Sequence, residues 1–104
     1  EETSEQVKAR VDEARKIQLK RFKNDKIFTN SKMSASHIKK YCEIDKESET
    51  VLKRAFEMFN LSARGYTRIL KVARTIADLE GSENISKDHI LEAISFRTIE
   101  KYEL

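Results

Sequence analysis

Residues 61–81 read LSARGYTRILKVARTIADLEG, and this stretch decides the fold because it keeps a helical period throughout while breaking local helix rules at its start. At roughly 100° per residue, Tyr66, Ile69, Leu70, Ala73, Ile76 and Ala77 share one broad face, with Val72 and Leu79 on its margin. That face is expected to be core. Arg64, Arg68, Lys71, Thr75 and Asp78 line up on the opposite side, so a cationic stripe begins at the helix start and faces water or an anion.

The first turn distinguishes those two. Ser62 is a good N-cap and Gly81 a good stop, which puts Arg64 and Gly65 in the first turn. A cation there opposes the positive end of the helix dipole by roughly 0.3–1 kcal/mol, and glycine gives up about 1 kcal/mol against alanine. Free backbone N–H groups, a guanidinium and a residue without a side chain are what close approach of a phosphate requires, so Ser62 to Arg68 is a candidate phosphate contact. Residue types alone leave a second reading open: a solvated arginine beside a glycine in a loop that enters a core helix.

Working outward, composition bounds the rest. A chain of 104 residues with 38% hydrophobic content is one domain with a modest core. It has no proline and only two glycines, which suits an all-α fold and excludes a glycine-rich phosphate loop within this chain. The single Cys42 cannot form an internal disulfide and has neither a CxxC partner nor an adjacent histidine, so packing in a reducing compartment is expected. His37 and His89 have no ligand-spaced neighbours, so no metal site is expected. No apolar run approaches the roughly 20 residues that span a bilayer, and EETSEQ is not a signal peptide. A cytoplasmic domain without membrane contact is the expectation, and a start at Glu1 suggests a piece of a longer protein.

Upstream, Thr3 or Ser4 caps a first helix of about 20 residues, with Gln6 completing a capping box. Its apolar stripe of Val7, Val11, Ala14 and Phe22 is narrow and interrupted by Gln18, so part of it is expected to lean on something outside this chain. Residues 1–33 carry nine cations against six anions, whereas the remainder is balanced. Lys16, Lys20, Arg21 and Lys23 are therefore candidate nucleic-acid contacts, against the alternative of a plain solvated face. Residues 24–34 lose the period and read as a connector pinned by Ile27, Phe28 and Met33. Ser34 or Ser36 opens a short helix to about Glu43. Asp45 caps another to about Phe59, with Ile44, Val51, Leu52, Ala55, Met58 and Phe59 on one side, and Asn60 ends it. That helix and the one after Ser62 are expected to form an antiparallel pair. Ser86 caps a last helix to about Phe96, with Ile85 and Ile90 as its staple; 98–104 has no clear period and is expected to fray.

LSARGYTRILKVARTIADLEG followed by NISKDHILEAI resembles the C-terminal helical domain of the magnesium chelatase-like AAA+ ATPases, nearer the ComM branch than the chelatase subunit of chlorophyll synthesis. EETSEQVKARVDEARKIQLKRF resembles the helix that precedes this domain, and KYCEID also fits, so the likeness covers most of the chain. SARG followed by ILKVARTIADLEG is its most specific part; ISKDHILEAI is shared with many AAA+ lids. The resemblance implies a linking helix and connector over 1–33, followed by an AAA+ lid-like bundle of about four to five helices over 34–104. It implies a lid over ATP and Mg held by an upstream α/β ATPase domain with Walker motifs, with neighbouring subunits in a hexameric ring. Arg64 then takes the place of the second-sensor arginine, with Arg68 ranked after it and Ser62 and Gly65 supporting the helix start. Arg74 matches the family pattern, but its position suits a salt bridge to Asp78. No catalytic residue falls within this fragment, so it is not expected to turn over ATP alone. ComM-type proteins are associated with DNA branch migration, so the resemblance implies DNA as a partner of the whole machine even if this domain never touches it. A nucleic-acid module, or a helical module that only packs subunits, remains the alternative.

Overall fold

Each helix begins where a short polar side chain accepts a backbone N–H three residues downstream, which satisfies one of the donors a helix start leaves open. The acceptors are Thr3, Ser34, Asp45, Ser62 and Ser86, with donor to acceptor distances of 3.1, 3.5, 2.8, 3.1 and 3.4 Å. The resulting elements are α1 (Ser4–Arg21), α2 (Ala35–Tyr41), α3 (Lys46–Met58), α4 (Ala63–Leu79) and α5 (Lys87–Tyr102), with a short 3-10 turn at Asn30–Lys32. This computed structural model describes residues 1–102, with side chains to residue 96. Among the described residues the only strand-like feature is an isolated bridge between Ile44 and Ile85, so the chain is an all-α bundle.

The stops are equally specific. Asn60, at φ 51°, and Gly81, at φ 72°, take the left-handed conformation just past α3 and α4. In each case the following amide bonds back five residues, Leu61 to Phe56 at 3.0 Å and Ser82 to Ala77 at 2.8 Å, closing a Schellman motif.

The core gathers Phe22 from the end of α1, Met33 and Cys42 around α2, Leu52 from α3, Ile69 to Ala77 from α4, and Ile85, Ile90 and Ala93 around the start of α5. Ile85 and Ile90 are both buried, as a hydrophobic staple requires. Burial in this apolar setting pushes the Cys42 thiol up to about 11, which keeps it protonated and fits a packing role.

Several expectations need correction. The expected α3–α4 pair is not the axis of the core: α4 packs most extensively on α5 and next on α1, and α3 also packs on α5, which thus joins the two. Met58, on the core side of its helix by periodicity, and Phe28, expected to pin the connector to the core, are instead 76% and 72% exposed. Met58 occupies the last turn of α3, and Phe28 precedes the 3-10 turn; both lie where the chain leaves its core-facing element. Helix α5 does not stop near Phe96 but continues to Tyr102, and the rest of the expected fraying segment, 103–104, lies outside the described residues. Asp78, assigned to the solvent side of α4, is 1% exposed, because α1 and its connector lie across that part of the polar face.

Candidate functional site

The polar face of α4 is divided by α1. Its carboxyl-terminal half is closed by a buried polar cluster. Arg21 donates two hydrogen bonds to the Asp78 carboxylate, at 2.6 and 2.8 Å, and a third to Asn30 Oδ1 at 3.0 Å. Asn30 Nδ2 donates to Asp78 Oδ2 at 2.8 Å and to Thr75 Oγ1 at 3.0 Å, and its backbone N–H donates to Gln18 Oε1 at 3.1 Å. Gln18, which interrupts the apolar stripe of α1, is thereby explained: it anchors the connector. Arg74 lies on the other side of Asp78, with Nε 3.3 Å from Oδ1 in an ion pair, while its Nη atoms donate to the Glu83 and Ser82 carbonyls. The salt bridge expected for Arg74 is present. Burial lowers the Arg74 pKa, opposed chiefly by the Asp78 charge.

The amino-terminal half of the face stays open and borders a groove of about 860 Å³. Ser62, Arg64, Gly65, Arg68 and Lys71 contribute to its lining there, together with Ser31 from the 3-10 turn, and the groove continues past Val72, Thr75, Ile76 and Leu79 of α4 to Phe96 of α5. Ser62 Oγ accepts the Gly65 amide, which leaves the Ala63 and Arg64 amides at the helix start without intrahelical acceptors. Arg64 is exposed, and its guanidinium makes no hydrogen bond or ion pair with any other described residue. Arg68 is also exposed. Lys71 Nζ donates to the Ser31 carbonyl at 3.1 Å.

Gly65 is buried, and a Cβ there would lie 3.6 Å from Leu61 and from Ser62 Oγ, an ordinary contact. Space alone therefore does not require glycine at this position.

The four basic candidates of α1 do not behave alike. Lys16, Lys20 and Lys23 are exposed, and Lys16 pairs with Glu13 at 3.2 Å. Arg21 is a correction to the nucleic-acid reading: its side chain is only 11% exposed and is committed to Asp78. Sequence reasoning missed Ser31 and Phe96 as neighbours of the groove, and Asn30 as a member of the buried cluster. Ser31 and Asn30 act from a connector without a period, and the contribution of Phe96 depends on how α5 crosses α4. Among the described residues no cluster of potential ligands could hold a metal ion, and no helix is long and apolar enough to cross a membrane.

Comparison with known proteins bears on the whole chain. The family described as "Magnesium chelatase, subunit ChlI C-terminal" matches residues 1–97. The chain is 39% identical over 98 residues to "Competence protein ComM" of Haemophilus influenzae, covering 94% of this chain and 18% of that protein. It is 38% identical over 100 residues to the protein YifB of Salmonella typhimurium, covering 96% and 19%, and equally similar to YifB of Escherichia coli. The chain thus spans under a fifth of the length of these curated relatives. With the family match running from the capped start of α1 into α5, the chain belongs to the magnesium chelatase ChlI C-terminal domain family.

Proposed function

We propose that this chain is the lid domain of an AAA+ ATPase of the magnesium chelatase-like, ComM type, and that Arg64 is its second sensor for ATP. The observation that carries this reading is a guanidinium held at the amino end of α4 without an ion-pair partner among the described residues, beside two open backbone amides and over a groove. A charge placed against the helix dipole, with no partner among the described residues to offset it, is accounted for by a phosphate that arrives from another domain. ATP with its Mg would be held by an upstream α/β domain of the same chain. Arg64 would bond to the γ-phosphate side, with Arg68 in support and Ser62 and Gly65 shaping the helix start. Loss of that phosphate removes the contact and frees the lid to rotate against the ATPase domain.

Arg64 performs no covalent step in this scheme. Hydrolysis requires a phosphate-loop lysine, a Mg-binding carboxylate and an arginine from a neighbouring subunit of the ring, none of which is assigned here. The likeness to a competence protein of Haemophilus influenzae supports a competence-related setting; within it the whole protein would act as a cytoplasmic, hexameric machine that remodels DNA. Within that setting the exposed Lys16, Lys20 and Lys23 offer the basic surface of this domain.

The test is ATP turnover by the full-length protein. Arg64→Ala is expected to lower it at least tenfold while the helical circular dichroism and thermal midpoint of this domain stay unchanged. Unchanged turnover would overturn the reading. DNA involvement is read separately: loss of salt-dependent binding on neutralising Lys16, Lys20 and Lys23 supports a direct contact, and unaltered binding opposes it.

A further inference from the structure

The bond from Lys71 Nζ to the Ser31 carbonyl, 3.1 Å long, is not used by the sensor reading and joins the groove to the connector. Lys71 lies seven residues after Arg64, which on an α-helix is nearly two turns and about 10 Å along the same face. Both residues line the groove, with Arg68 between them in sequence. Ser31 belongs to the 3-10 turn Asn30–Lys32, and that turn is otherwise fixed to α1 and α4 through Asn30. A lysine on a neutral carbonyl makes a single hydrogen bond that an anion can outcompete, since pairing ammonium with phosphate is charge-assisted on both sides.

We propose that Lys71 is a latch. With the groove free of phosphate it holds the Ser31 carbonyl, and when a polyphosphate occupies the groove it transfers to a phosphate oxygen and releases that carbonyl. The same lysine is thus a further phosphate-binding residue, and its transfer relays occupancy to the connector that joins α1 to the bundle. This rests on the reading of the groove as a phosphate site but assigns it a residue and a consequence that the arginine contact lacks. Asn30, buried among Arg21, Thr75 and Asp78, is the fixed point against which Ser31 and Lys32 move.

The Lys32 amide belongs to the same peptide group as the Ser31 carbonyl, so its resonance reports whether that carbonyl is bonded. Millimolar inorganic tripolyphosphate is titrated into the 15N-labelled 104-residue chain and followed by amide chemical shifts. Expected is a shift of the Arg64 and Lys32 amides along one binding curve. Lys71→Met should weaken binding about three- to tenfold and leave Lys32 insensitive to tripolyphosphate. Arg64→Ala should also weaken binding, but the endpoint reached by Lys32 should be preserved. If Arg64 shifts while Lys32 does not, or if Lys71→Met binds as tightly as the wild type, the latch is overturned and the sensor reading stands. If Lys71→Met weakens binding and Arg64→Ala does not, the latch stands and the sensor assignment falls. Absence of any shift in the wild-type chain would overturn the latch and remove the groove as an independent phosphate site.

Discussion

Asp78 has a side chain with no exposed surface, and it accepts hydrogen bonds from Arg21 and Asn30 while pairing with Arg74. A carboxylate so enclosed is stable only because each oxygen is met by a donor; two cations and an amide would otherwise be left buried without it. Asp78→Ala is expected to destabilise the chain by roughly 3–5 kcal/mol, read from chemical denaturation. Arg21→Ala combined with Asp78→Ala should cost clearly less than the sum of the two single changes, since they share one interaction. Additive costs would show that α1 is not held through this pair. Arg64 presents the opposite case: it is a cation exposed at a helix start with no described partner, so its retention is explained by what it meets rather than by what it stabilises.

Among the elements, α3 is held at its start by one carboxylate. The Asp45 side chain accepts the Ser48 amide at 2.8 Å, and that backbone hydrogen bond is the main cause lowering the Asp45 pKa from its ordinary 3.8. A depressed folded-state value means that the cap stabilises α3 fully above the unfolded value and is lost as pH falls through the lower folded one. Thermal midpoints of wild type and Asp45→Ala should therefore differ by a constant gap from neutral pH to about pH 5 and converge as pH falls below 3.8. A gap that persists in acid would mean that the carboxylate charge is not what caps the helix.

How far the elements could be read in advance follows from the physics that set them. Caps and stops are local, so Asp45, Asn60, Ser62, Gly81 and Ser86 are legible from residue type and spacing, while Thr3 and Ser34 are each legible only as one of two neighbouring candidates. The buried face of α4 was legible from its period. The covering of Asp78 was not, because it depends on a crossing helix that brings Arg21 and Asn30 from 57 and 48 residues away. Burial of an ion pair leaves no periodic mark; it turns a residue on the polar side of a helix into an interior one. The mistaken placement of Met58 has a similar origin, since periodicity fixes an angle around α3 but not whether the last turn still has a neighbour.

At the scale of the molecule, α1 both completes the bundle and leaves it. Phe22 at its end is buried in the core, and Ala14 and Gln18 are buried on its inner face, while residues 1–10 are exposed throughout. The narrow stripe read from the sequence thus serves only the second half of the helix. The same helix closes one half of the polar face of α4 and leaves the other half open, so the candidate site is defined as much by where α1 ends as by the arginines beside it. Charge excess in residues 1–33 does not translate directly into a nucleic-acid surface, because one of its cations is structural and others pair locally, as Lys8 does with Asp12 and Lys16 with Glu13.

The central claim is that the guanidinium at the start of α4 meets the terminal phosphate of ATP. It is tested most directly by a structure of the full-length protein bound to a non-hydrolysable ATP analogue. The account predicts the Arg64 guanidinium at about 2.7–2.9 Å from a γ-phosphate oxygen, with this bundle closed over the nucleotide. Arg64 facing solvent, with the phosphates held entirely by residues of other domains, would contradict it.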